Sequence, residues 1–155
     1  ETLKELSDIG EFQLIEKIQN IEGQLMKIEK NGWSGIGSSL FSLEKYEEAI
    51  KCYDEVIRLN PKDSDAWDDK GFSLALLEKD KDAITCYDEA IRINPKDSSA
   101  WQNKGNLLKR LGRDEEAEEC FAKVKELHKQ AELEYERVRK EYYERRKSRG
   151  GSFRI

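Results

Sequence analysis

Cys52, Cys86 and Cys120 are the residues of this 155-residue chain best suited to chemistry, and they stand 34 positions apart. Thiols can ligate a soft metal or pair as a disulfide if the fold brings them within reach. Their spacing argues against both. Each occupies the same place in a recurring string, written Cys-Tyr-Asp-Glu at 52–55 and again at 86–89, so the three belong to successive copies of one structural unit. Equivalent helices in neighbouring units lie on the order of 10 Å apart or more, beyond the roughly 7 Å between Cα atoms that a disulfide spans. Reduced, structural cysteines follow, and with them a reducing compartment, here expected to be the cytoplasm. His128 is the single histidine, with no Cys or second His at zinc-ligand spacing. No Gly-rich phosphate loop follows a strand pattern, and no nucleophile, base and orienting acid present themselves. The plentiful carboxylates fall on solvated helix faces, where charge confers solubility rather than catalysis. No enzyme, metal or cofactor is expected.

The units that carry the cysteines are marked by Trp33, Trp67 and Trp101. Each is followed by Gly (Gly37, Gly71, Gly105), Leu (Leu40, Leu74, Leu108), Ala (Ala49, Ala83, Ala117) and an aromatic (Tyr53, Tyr87, Phe121) at constant offsets. The units run 30–63, 64–97 and 98–131; the first two share 19 of 34 positions, including a closing Asn-Pro-Lys-Asp, whereas the third shares only 10 with the second and closes differently. This order of residues at this period resembles the tetratricopeptide repeat family, whose unit is two antiparallel helices and a tight turn. The resemblance covers 102 of the 155 residues, and its specificity lies in the threefold recurrence.

Elementary patterning leads to the same unit. Positions 67, 71, 74 and 77 recur at helical spacing, as do Ala83, Ile84, Tyr87, Ala90 and Ile91 beyond the charged break Glu78 to Asp82. The small residues Gly71 and Ala83 let two helix axes approach, and Asn94-Pro95 ends the second helix because Pro lacks a donor and pushes its predecessor out of the α region. The apolar face of a helix pair is too wide to bury alone, so units must stack, about three being needed for stability. The expectation is all-α: an α-solenoid of three such repeats, with Trp67 buried between helices. No run of 18 apolar residues suggests a membrane span.

The flanks are less regular. In the segment 1–29, Leu14, Ile18, Ile21, Leu25 and Ile28 follow a heptad seam. Asn31-Gly32 predicts a helix end before Trp33. Such a helix either caps the first repeat or meets another chain. At the far end Lys129 stands where Pro61 and Pro95 stand earlier, and no Gly or Pro occurs between Arg113 and Gly150, so one helix is predicted from Asp114 to Lys147. The C-terminal helical extension is placed at 132–149, ahead of a tail, 150–155. The stripe of Val124, Leu127, Ala131, Tyr135, Val138 and Tyr142 on this helix outlasts the repeats and predicts an oligomer interface, homo-oligomeric against the seam of residues 14 to 28 of a second copy, with a partner protein or a return contact within one chain as the alternatives.

Charge is uneven: residues 137–155 carry a side-chain net of +6 and the rest −11. Tyr142, Tyr143 and Phe153 beside these bases are compatible with nucleic acid, but an overall charge of −5 argues against a dedicated binder, and acids at the start of the last helix with bases at its end are what the helix dipole favours.

The resemblance further implies that the first helix of each unit lines a concave surface for a peptide or protein segment. The inner positions are then Asn31, Ser34, Ser38, Phe41 and Ser42; Asp65, Asp68, Asp69, Phe72, Ala75 and Leu76; and Ser99, Gln102, Asn103, Asn106, Lys109 and Arg110. Phe41, Phe72 and Leu76 offer an apolar shelf, and the three aspartates favour Lys or Arg. The chaperone-binding branch of the family grips a carboxylate with Lys, Asn and Arg at positions that are Ser34, Ser38, Asp69, Ser99 and Asn103 here, so that clamp is absent. A non-catalytic binding and assembly module is the reading that results. The alternative is a structural oligomerisation unit built on the end helices, with nucleic-acid binding behind both.

Overall fold

Every helix pair turns on a residue in the left-handed region. Glu44, Glu78 and Gly112, again 34 apart, have φ of 59°, 58° and 73°. The next amide reaches back five positions to a helix carbonyl, Lys45 to Leu40, Lys79 to Leu74 and Arg113 to Leu108, each at 2.9 Å. This is a Schellman closure, which satisfies carbonyls that a helix end leaves bare. The computed structural model describes residues 2–148, with side chains from Phe12 onward, so the expected tail 150–155 lies outside the described residues. Those residues form six helices and no strand: α1 Thr2–Ser42, α2 Tyr46–Leu59, α3 Ser64–Leu76, α4 Asp80–Ile93, α5 Ser98–Arg110 and α6 Asp114–Ser148.

The Asn-Pro-Lys-Asp string makes the turn between pairs. Asn60 Oδ1 accepts the Lys62 amide, Pro61 cannot continue α2, and Asp63 caps α3 by accepting the Ala66 amide at 3.2 Å. Asn94, Pro95 and Asp97 repeat the arrangement ahead of α5. The chain divides after Ile93 into two compact units, the first holding α1 to α4 and the second α5 and α6. In the first, α1 packs on α2, α2 on α3 and α3 on α4; in the second, α5 packs on α6.

The pairs close where glycine faces an aromatic ring. A Cβ added at Gly37 or Gly71 would stand 2.8 Å from Tyr53 or 2.9 Å from Tyr87, and one at Gly105 2.7 Å from Phe121. Tyr53 and Tyr87 are buried, together with Ala49, Ala83 and Ala117 and all three cysteines. No disulfide joins the three thiols, and the Cys86 thiol is pushed up to about 11 by burial.

Three expectations need correction. α1 does not end at Asn31-Gly32; it runs unbroken through the expected join at 29 and 30, because a glycine weakens a helix by only about 1 kcal/mol and no backbone closure forms there. Nor does its N-terminal part cap the first repeat: every described side chain from Phe12 to Glu29 is exposed. Trp67 is half-buried rather than enclosed, its indole N–H donating to the Pro61 carbonyl at 3.1 Å, as Trp101 donates to Pro95. An indole must satisfy its N–H, and the partner here lies at the surface. The unbroken helix predicted from Asp114 is present as α6.

Candidate functional site

α1 and α3 present their outward residues together in the first unit. The rings of Phe41 and Phe72 stack at 5.4 Å, and Tyr46, at the start of α2, tilts against Phe41 at the same distance. Lys30 ties α1 to the cap of α3 through Asp63, Nζ to Oδ2 at 2.8 Å. Phe72 and Leu76 remain 42% exposed, so an apolar shelf is open to solvent. Residues 65, 68, 69, 72 and 76 share one helical face, which sets three carboxylates immediately beside that shelf.

The carboxylates are not equally at ease. Burial, reinforced by the charges of Asp65 and Asp63, holds the Asp69 carboxyl at about 6, well above the usual range. Burial also raises the Tyr53 phenol, with the Asp69 charge adding to it and a hydrogen bond with Ser38 opposing it. Ser34 is half-buried and accepts from the Ser38 hydroxyl through its carbonyl at 3.0 Å, while Asn31 lies exposed further up α1. A cation arriving at Asp65, Asp68 and Asp69 would relieve crowding as well as gain attraction.

In the second unit the nominated residues lie along α5. Gln102 donates to Asn106 at 3.0 Å, Asn103 is half-buried, and Lys109 and Arg110 are exposed in the last turn. Lys30, Tyr46 and Asp63, which nothing in the repeat pattern marks as part of a binding surface, support the first-unit face. Asp63 was readable as a helix cap, but its pairing with a lysine 33 residues upstream was not.

The terminal helices carry the remaining nominated residues. Leu14, Ile18, Ile21, Leu25 and Ile28 are exposed by 47–67%. On α6, Val124 and Leu127 are buried, Ala131 is exposed, and Tyr135, Val138 and Tyr142 are 68%, 53% and 57% exposed. No cluster of potential metal ligands occurs among the described residues, and no helix among them is long and apolar enough to cross a membrane.

Comparison with known proteins places this geometry. Three models, each described as tetratricopeptide repeat, match residues 31–63, 64–97 and 86–119, together more than half of the chain. No curated protein sequence matches. Among solved structures, a crystal structure of MamA is similar at 25% identity and a TM-score of 0.65, over 67% of this chain and 61% of that one. This chain thus spans about three fifths of the MamA structure. The second repeat domain of Spaghetti (RPAP3), bound to the HSP90 peptide SRMEEVD, is similar at 25% identity and a TM-score of 0.64, over 68% of this chain and 98% of that one. The first such domain of the same protein gives 24% and 0.62, over 64% and 79%.

Proposed function

Because the chain belongs to the tetratricopeptide repeat family, we propose that it is a non-catalytic binding module that takes a basic peptide or protein segment on the α1–α3 face. The observation that carries this is the Asp69 carboxyl held at about 6 beside Asp65, next to the open Phe41–Phe72 shelf. A lysine or arginine docked there gains attraction to three carboxylates and lets Asp69 ionise, while an adjacent apolar side chain covers Phe72 and Leu76. The RPAP3 domain holds an acidic peptide; here Ser34, Ser38 and Asp69 stand at the positions of the carboxylate clamp, so preference inverts toward cationic ligands.

Fluorescence anisotropy with a labelled lysine-leucine peptide and its glutamate-leucine counterpart tests the reading. The lysine peptide binds, more weakly as salt rises, since exposed charges are screened over roughly 8 Å at physiological ionic strength. Changing Asp65, Asp68 and Asp69 together to Asn weakens it by about tenfold or more. Unchanged affinity in that variant removes this face from consideration.

A second reading, assembly through the terminal helices, is favoured by the exposure of Tyr135, Val138 and Tyr142 on α6 and of the seam from Leu14 to Ile28 on α1.

A further inference from the structure

The stripe on α6 does not repeat like the seam on α1. Positions 14, 18, 21, 25 and 28 alternate by four and three, the heptad that wraps helices into a left-handed supercoil. Positions 127, 131, 135, 138 and 142 advance by 4, 4, 3 and 4. On a straight helix they fall within a sector of roughly 60–80°, a period near 3.67 that calls for no left-handed winding. A heptad continued from Leu127 and Ala131 would place Glu134 and Glu141 on the seam, with Tyr135 and Tyr142 beside it. The two stripes therefore cannot stay in register along their length, and a parallel coiled coil of α6 would bury carboxylates.

Charge along the same segment is segregated. Glu132, Glu134 and Glu136 precede a mainly basic stretch of Arg137, Arg139, Lys140, Arg145, Arg146 and Lys147, interrupted by Glu141 and Glu144. Side by side in parallel, two copies oppose base to base; reversed, they oppose acid to base. We propose that the projecting part of α6 pairs with the same part of a second copy, antiparallel, about a two-fold axis near Val138. In this register Val138 meets Val138 of the second copy and Tyr135 meets Tyr142. On one flank Glu134 faces Arg145, and on the other Glu132 faces Arg146, each contact occurring twice by symmetry. A fully covered tyrosine buries about 150–250 Å²; with Tyr135, Tyr142 and Val138 68%, 57% and 53% exposed, four tyrosines and two valines bury roughly 500–800 Å², the size of a weak, reversible interface. A cleft of about 510 Å³ lies at the root of the stripe, lined by Lys96, Leu127, Gln130, Ala131 and Glu134. The end of the second copy's helix reaches this cleft in the same register and brings arginine toward Glu134.

This inference rests on the reading of the terminal helices as assembly elements, and the experiment separates the two. Sedimentation equilibrium of the full chain at tens of micromolar shows a dimer. Val138→Glu gives a monomer with helicity by circular dichroism and repeat melting unchanged. Glu134→Lys weakens the dimer by about tenfold or more. Adding Arg145→Glu to Glu134→Lys restores it, because the pair is merely exchanged; adding Arg139→Glu does not. Restoration by Arg139→Glu instead means that the helices run parallel and overturns the proposal. Dissociation by Ile18→Glu with Ile21→Glu, but not by Val138→Glu, keeps assembly through a terminal helix and rejects α6 as its site. A monomeric wild-type chain rejects both.

Discussion

Gly71→Ala and Gly32→Ala are the same chemical change in two helices of one unit, and they are expected to act with opposite sign. In a helix, alanine is favoured over glycine by about 1 kcal/mol because less backbone entropy is lost on folding. Gly32 receives the whole of that gain, since nothing lies within 4 Å of the new methyl group. At Gly71 the methyl would sit 2.9 and 3.0 Å from two ring carbons of Tyr87 and 3.1 Å from Cys86 Cβ. Tyr87 is 1% exposed and Cys86 4%, so neither ring nor thiol has room to withdraw, and α3 must move off α4. Overpacking of this kind costs typically 1–3 kcal/mol, leaving a net loss of up to about 2 kcal/mol after the helical gain. In a unit of this size each kcal/mol moves the melting temperature by about 4–8 °C. Thermal unfolding followed by circular dichroism should place Gly71→Ala below the wild type and Gly32→Ala at or slightly above it. Gly105→Ala should fall between them, because Phe121 is only half-buried and can turn aside. If Gly71→Ala melts as high as Gly32→Ala, the close approach of the pair is not what requires glycine.

Three further outcomes are expected. Trp67→Ala removes a half-buried indole and its bond to Pro61, and urea titration should show a loss of about 1–2 kcal/mol, below the 3–5 kcal/mol of an enclosed tryptophan. Asp69, raised to about 6 in the folded chain from 3.8, binds its proton more tightly when folded; its favourable contribution is complete below 3.8 and lost as pH rises through 6. Asp69→Asn should therefore stabilise at pH 7 by about 1 kcal/mol, the full shift being discounted for solvent screening, and lose that advantage in acid; equal effects at pH 4 and pH 7 would contradict the cause assigned. The Cys86 thiol, raised to about 11, should be alkylated by iodoacetamide at mildly alkaline pH about a hundredfold or more slowly than after denaturation, as mass spectrometry can read.

What was legible in the chain was what local chemistry determines. Asn-Pro followed by a capping Asp ends one helix and starts the next within four residues, so the joins after α2 and α4 can be read without any distant contact, and the lack of such a signal after Cys120 announces the length of α6. The α1 boundary misled because Asn31-Gly32 has the composition of a stop without the means to make one. Glycine permits the left-handed turn but does not demand it, and the actual turn falls on Glu44, a residue with no preference for that conformation. What holds Glu44 there is the bond from Lys45 to Leu40 and the packing of α2 on α1 that follows it, a tertiary cause. The tryptophans misled in a related way. Their recurrence marks them as framework, and framework they are, but the enclosed ring of each pair is Tyr53, Tyr87 or, less fully, Phe121, set against glycine, while Trp67 and Trp101 clip the proline turns from outside. Recurrence identifies positions that packing constrains; it does not say which of them lie inside, because an indole with its N–H bound to a surface carbonyl is as constrained as a buried phenol. The stripe on α6 shows the converse, since its spacing was plain in the sequence while its meaning depended on exposure. Val124 and Leu127 spend the same periodicity on burial within the chain, and only beyond Leu127, where the helix is exposed, is it left open to solvent.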